Sequence, residues 1–379
     1  MGSQTQSADI SAAPSSTTLI KWVLDTRPLW PEAKQTKDLS SAAARALALL
    51  RPEERSGVLR YYHVRDAKLA LGSALLKRLA IVRCAHVPWS AAVPSRDPRT
   101  HKPVFRVPGS GSGDAGLAPE GGDGGAGPSE GGREDGYVEP LLFNVSHQAG
   151  LVVLLALAAP PSRATAIGVD IVCPSERRDR DRTTVSRDGW SQYVAMHEDV
   201  FSPEEAARLR ALVSTLPPRD SNGRDRTDAL LAHFYALWCL REGYVKMTGD
   251  ALLAPWLRDL DMRNVAPPPL PPSPAGGDGT GAAITAERAR QIRGETGPGL
   301  DIWLHGERVR DADVRLEWLL GDEYMVCTAV RWGRHGEVEA EGEGTDAAPQ
   351  GAAEMMASPF VRLDMEDVLA EAEAAGGLA

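Results

Sequence analysis

Three stretches of this 379-residue chain have almost nothing apolar to bury, and their positions fix what the rest can fold into. Residues 108–136 open Pro-Gly-Ser-Gly-Ser-Gly-Asp-Ala-Gly and stay rich in Gly, Ser, Asp and Glu. Residues 263–298 contain Pro-Pro-Pro-Leu-Pro-Pro-Ser-Pro followed by Ala-Gly-Gly-Asp-Gly-Thr-Gly, and residues 335–357 are dominated by Glu, Gly and Ala. Burial in such segments cannot offset the entropy of ordering a backbone, so they read as a disordered surface insertion, a linker and an acidic tail. The glycine pairs of the first stretch are not a dinucleotide-binding turn, which needs a strand before it and a helix after it.

What remains divides into two α/β blocks of similar size. In the first, Ile20–Leu24 reads as a strand, residues 40–55 as short helical pieces and 58–82 as a long helix with apolar residues at helical spacing. Strands follow at 103–107, 141–145 and 151–158. In the second block, 166–172 is a β-branched run, and 202–212 is a helix with Ser202 as N-cap, Pro203 at its first position and Glu205 completing a capping box. A long helix at 228–247 and strands at 300–304, 314–320 and 324–331 complete it. The repeated plan predicts an α+β fold: a pseudo-two-fold pair of similar lobes, each a long helix packed on a small antiparallel sheet. The expected divisions are a disordered N-terminus (1–19), an N-terminal lobe (20–160), a C-terminal lobe (161–334) and an acidic low-complexity tail (335–379) with a short helix around 364–374. A short polar helix is expected at 286–293.

Charge and cysteine content narrow the partners. A net charge of −10 argues against nucleic-acid binding by bulk charge, so any anion site must be built locally. The four cysteines are far apart, with no C-x-x-C pair, which points away from zinc and disulfides and towards a reducing compartment. No apolar run reaches the roughly 20 residues needed to span a bilayer, and no signal peptide is evident. A cytoplasmic location is the expectation.

The chemistry concentrates in a few places. Within W-C-L-R-E-G-Y-V-K, Glu242 and Lys246 stand four residues apart on one helix face with Arg241 beside them. A carboxylate and an ammonium so placed suit magnesium-assisted phosphate chemistry; a surface salt bridge would use the same spacing. Asp170, inside I-G-V-D-I-V, is costly to bury unpaired, so it is a Mg²⁺ ligand, one half of an ion pair or a solvent-facing strand residue. Ser146 and His147 in F-N-V-S-H-Q are adjacent on an extended segment and point to opposite faces, which argues against a nucleophile and base. They fit phosphate donors, or a capped turn between strands. Arg65 and Lys68 are helix neighbours, and Lys102 precedes a proline-led strand; singly, such basic residues name no function.

Taken in order, R-D-A-K (65–68), H-K-P (101–103), F-N-V-S-H (143–147), G-V-D-I-V (168–172), F-S-P-E-E (201–205) and W-C-L-R-E-G-Y-V-K-M-T-G (238–249) resemble the two-lobed, Sfp-type 4′-phosphopantetheinyl transferases, especially fungal members. The opening I-K-W-V-L-D-T-R-P-L-W (20–30) adds to the likeness. The resemblance implies transfer of the phosphopantetheine arm of coenzyme A to a serine of an acyl- or peptidyl-carrier domain, with release of adenosine 3′,5′-bisphosphate. It implies Mg²⁺ held by Asp170 and Glu242, catalytic roles for Glu242, Lys246 and His147, and coenzyme A contacts from Arg65, Lys102, Ser146, His147 and Lys246. Val172 stands where many bacterial members carry a third carboxylate, a mark of the animal and fungal subclass. The implied partners are carrier domains of fatty-acid synthase, aminoadipate reductase, and polyketide or nonribosomal peptide synthetases, served by a monomer. A non-catalytic coenzyme A-binding protein is the alternative, and a Ser146–His147 hydrolase a poorer one.

Overall fold

The computed structural model describes residues 17–100, 102–108, 137–162, 164–219, 225–250, 254–269, 299–333 and 351–376. Strand β1 (Thr18–Asp25) pairs antiparallel with β3 (Leu151–Ala158), which pairs in turn with β2 (Leu141–Gln148). β2 and β3 are joined by the two-residue turn Ala149–Gly150, both residues at positive φ, the backbone that suits the twist of a tight hairpin. Every residue of β3 is buried, because both faces of the sheet are covered. Val152, Leu154 and Ala156 face a helix-side core, whereas Leu151, Val153, Leu155 and Leu157 face a second sheet. That second sheet is antiparallel, with β6 (Tyr324–Arg331) between β4 (Ala166–Val172) and β5 (Ala312–Leu319). Ile167, Val169 and Ile171 of β4, with Val326 and Val330 of β6, meet the first sheet in one shared apolar layer.

Each sheet carries a long helix on its other face. Helix α1 (Val64–Ala85) buries Ala67, Leu71, Leu75 and Leu79 against the first sheet. Helix α2 (Pro174–Asp188) follows β4, and α3 (Pro203–Thr215) starts with Ser202 accepting from the Glu205 amide and Glu205 accepting from the Ser202 amide. Helix α4 (Arg226–Thr248) packs on the second sheet; Asp225 caps its start, and Gly249, at φ +86°, ends it in the left-handed turn that glycine adopts most readily. At the seam between the sheets, Asn144 Oδ1 accepts from the Val169 amide at 3.0 Å and Gln148 Oε1 from the Cys173 amide at 3.1 Å. These bonds set β2 beside β4.

Mixed helices and small, mainly antiparallel sheets agree with the expected class, but several boundaries differ. The helix expected over 58–82 is two: one from Pro52 to Leu59, then α1 from Val64, because Arg60–His63 leaves helical geometry and exposes Tyr61 and Tyr62. The strand expected at 103–107 is divided between Pro103–Val104, paired with Ser95–Arg96, and Val107–Pro108, paired with Tyr137–Val138. The largest correction concerns the tail. Residues 351–376 return to the N-terminal block, where β7 (Val361–Leu363) pairs in parallel with β1 and helix α5 (Met365–Ala374) buries Met365, Val368, Leu369 and Ala372 in the first core. Sequence reading missed β7 and also the strand Leu260–Arg263. The helix expected at 286–293 and the insertion from 109 to 136 lie outside the described residues.

Candidate active site

Alternation along β4 sends Ile167, Val169 and Ile171 into the inter-sheet layer and leaves Gly168, Asp170 and Val172 facing α4. Asp170 is therefore a buried carboxylate, 6% exposed, and needs compensation. It receives it from two sides: Ser146 Oγ donates to Asp170 Oδ1 at 2.9 Å, and Lys246 Nζ donates to the same oxygen at 2.6 Å. Lys246 Nζ also lies 2.9 Å from Ser146 Oγ, closing a triangle between β2, β4 and α4.

In its last three turns α4 is buried except at Trp238, Glu242, Lys246 and its final residue Thr248. The four-residue spacing of the first three makes one open stripe. Burial pushes the Glu242 carboxyl up to about 7, the negative charge of Asp170 adds to this, and Lys246 opposes it. Trp238, one turn earlier, forms with Val200, Phe201 and Arg241 a narrow recess beside Glu242.

Asp170 and Glu242 thus present two hard oxygen donors, the charge of Asp170 being near enough to raise the cost of ionising Glu242, a strain that a divalent cation would relieve. Among the described residues no group of three or more His, Cys, Asp or Glu side chains converges on a possible metal position, and Val172 is packed into the apolar core beside α4. Two carboxylates are a donor set that Mg²⁺ accepts when water and phosphate oxygens fill the remaining positions.

The other expected residues separate. His147 sits on the opposite side of β2 from Ser146: one exposed, the other buried, as extended geometry requires. Its imidazole is held below its ordinary value by partial burial and then by the positive charge of Lys246, with Asp66 and Lys77 of α1 also in range. Lys102 Nζ donates to Met247 O at 2.8 Å, one residue beyond Lys246, and burial lowers it to about 8 against the pull of Asp250 and Asp97. Arg65, with its side chain 74% exposed at the start of α1, pairs with Asp66 at 3.7 Å and touches none of the Asp170 cluster.

Arg241 is turned away from the site. Its guanidinium donates to Glu205 Oε2 at 2.5 Å, to Leu260 O at 2.9 Å and to Leu257 O, joining α3 to the loop and strand after α4. Lys68 reaches the Leu29 carbonyl at 2.5 Å. Glu176 accepts from Gln148 Nε2 at 2.8 Å, which places it on the β2–β4 seam. Sequence reasoning passed over Trp238 as a member of the open stripe, although its position four residues before Glu242 was the available signal.

Comparison with known proteins gives consistent matches. The model of the 4′-phosphopantetheinyl transferase superfamily matches residues 166–276, and that of the 4′-phosphopantetheinyl transferase N-terminal region matches residues 36–113. The chain is 49% identical to 4′-phosphopantetheinyl transferase 1 of Fusarium mangiferae over 97% of its own length and 99% of the relative's. It is 34% identical to 4′-phosphopantetheinyl transferase NpgA of Emericella nidulans, covering 94% and 95% of the two chains. With a 4′-phosphopantetheinyl transferase of Aureobasidium melanogenum it shares 32% identity over 92% and 96%.

Proposed function

The chain belongs to the 4′-phosphopantetheinyl transferase superfamily, and from that premise we propose that its reaction takes place at the cluster of Ser146, Asp170, Glu242 and Lys246. The enzyme transfers the 4′-phosphopantetheine arm of coenzyme A to a serine hydroxyl of a carrier protein domain, and adenosine 3′,5′-bisphosphate leaves. The observation that carries the site assignment is the convergence of Lys246 and Ser146 on one oxygen of buried Asp170, with Glu242 in electrostatic contact.

Asp170 and Glu242 would hold Mg²⁺, which when bound neutralises charge on the pyrophosphate. Lys246, released from Asp170 as phosphate enters, supplies a mobile ammonium to the pyrophosphate oxygens, and Ser146 offers a hydroxyl donor beside it. Glu242, raised towards neutrality by its surroundings, is suited to accept the proton of the attacking serine as its oxygen bonds to phosphorus and the bond to the bisphosphate breaks. Lys102 and the exposed Arg65 extend the positive surface at the end of α4 and the start of α1 towards the nucleotide 3′-phosphate. His147 adds a donor on the open side of β2.

The carrier domains would be those of fatty-acid synthase, aminoadipate reductase, and polyketide or nonribosomal peptide synthetases. The helix-on-sheet plan of each half supports a pseudo-two-fold pair of lobes meeting at this site, and one chain with both halves supports a monomer. The four free, buried cysteines suit a reducing cytoplasm. Among the described residues no helix is long and apolar enough to cross a membrane. Chromatographic assay of adenosine 3′,5′-bisphosphate, using coenzyme A, Mg²⁺ and an apo-carrier domain, tests the reading. Release that requires both metal and carrier supports it; coenzyme A binding without release across several carriers would favour a non-catalytic binding protein.

A further inference from the structure

We propose that Gly168 is a positioning residue that sets how closely helix α4 approaches strand β4, and so whether Asp170 and Glu242 can serve one site; this rests on the function proposed above. Gly168 shares the α4-facing side of β4 with Asp170, two residues on. A Cβ at Gly168 would lie 2.2 Å from Gly243 O, 2.4 Å from Met247 N and 2.9 Å from the Lys246 carbonyl carbon. All three are backbone atoms of α4, so no side-chain rotation could make room. On the helix, Gly243 directly follows Glu242, and a Cβ there would lie 2.4 Å from Cys327 Sγ on β6. Helix and sheet therefore meet backbone to backbone in the turn that joins Glu242 to Lys246.

Neither glycine has a positive φ, so the conformational freedom of glycine does not explain them. Glycine inside a helix or strand weakens that element, and the compensating gain here is proximity. A methyl group at Gly168 has to lift or turn α4, carrying Glu242 and Lys246 away from Asp170. Displacements of about 1 Å at a reacting centre cost on the order of 10²-fold in rate, and disturbing the residues that orient metal ligands costs roughly 10- to 100-fold in affinity.

The experiment compares wild type, Gly168→Ala and a stability control, Leu369→Ala, buried in α5 away from the site. Thermal unfolding, Mn²⁺ binding by electron paramagnetic resonance without coenzyme A or carrier, and kcat at saturating substrates are measured for each. Gly168→Ala is expected to weaken Mn²⁺ binding about 10-fold or more and to lower kcat about 10²-fold. Leu369→Ala, with a comparable fall in Tm, should leave both near wild type. A second pair keeps the idea testable if Gly168→Ala does not fold: Gly243→Ala should show the same losses, and adding Cys327→Ala should restore much of them by removing the obstructing sulfur. Folded Gly168→Ala with wild-type Mn²⁺ affinity and kcat overturns the proposal, as does equal loss of both in the control. A wild-type protein that neither binds Mn²⁺ nor transfers would instead overturn the functional reading and this inference with it.

Discussion

Arg241 and Glu242 are sequence neighbours with opposite duties, because one helical step turns the side chain by about 100°. Glu242 reaches the open stripe, whereas Arg241 enters the core and is neutralised there by Glu205, itself held by the Ser202 and Met262 amides. Breaking a buried ion pair on one side leaves an uncompensated charge, so Glu205→Gln should destabilise the fold by about 3–5 kcal/mol. Urea unfolding monitored by tryptophan fluorescence measures this, and a loss below 1 kcal/mol would show that the pair is dispensable. Lys102 gives a pH-dependent prediction. Its folded value of about 8 lies below that of a free lysine, so its charge is present below that pH and lost above it. Coenzyme A affinity should therefore fall as pH rises through about 8, while Lys102's contribution to stability rises from there towards the ordinary lysine range, where only the unfolded chain still binds the proton. Calorimetric titration should show this limb in wild type and a flatter one in Lys102→Met; identical profiles would contradict the assignment. That Glu242 and Lys246 share a helix face and that Asp170 is costly to bury unpaired was legible because helix spacing and strand burial are local rules; their grouping in one site came from the family resemblance. The partner of Arg241 was not, since Glu205 lies on another helix and nothing in the local spacing names it.

At the scale of elements, the start of α3 was legible for chemical reasons, since Ser202, Pro203 and Glu205 spell a capped helix; α5 was legible only as a short helix, and its cap is Asp364 accepting from the Glu366 amide. The destination of α5 was not. Its acidic side meets Arg45 through Glu366 and Glu373, and Arg83 through Glu371, contacts that join residues far apart in sequence. β7 has three residues, too few to show alternation, yet it covers the open edge of β1. A chain truncated after residue 349 would expose that edge together with the core sites of Met365, Val368 and Leu369. At about 1.5–3 kcal/mol per large apolar side chain, the loss should reach roughly 5 kcal/mol or more. Chemical denaturation and soluble yield would register it, and a truncated protein of unchanged midpoint would show that α5 is accessory.

For the whole molecule, the site exists where two sheets and two long helices come together. Asn144 and Gln148 fasten β2 to β4, Lys21 pairs with Glu317 across the sheets, and Tyr324 Oη donates to Ala149 O at 2.8 Å in the hairpin turn. Ser146 comes from one half, Asp170 and Lys246 from the other, so the cluster forms only when both halves are present in this arrangement. The repeated strand and helix plan made two blocks readable, but the seam between them depends on side-chain-to-backbone bonds that no periodicity reveals. Whether this seam holds the chemistry is read by intact mass spectrometry of an apo-carrier domain incubated with coenzyme A and Mg²⁺. Wild type should add one phosphopantetheine mass to the carrier if the seam is the reacting centre, and Glu242→Gln and Asp170→Asn, both still folded, should slow this by about 10²-fold or more. Transfer at the wild-type rate by either folded variant would contradict it.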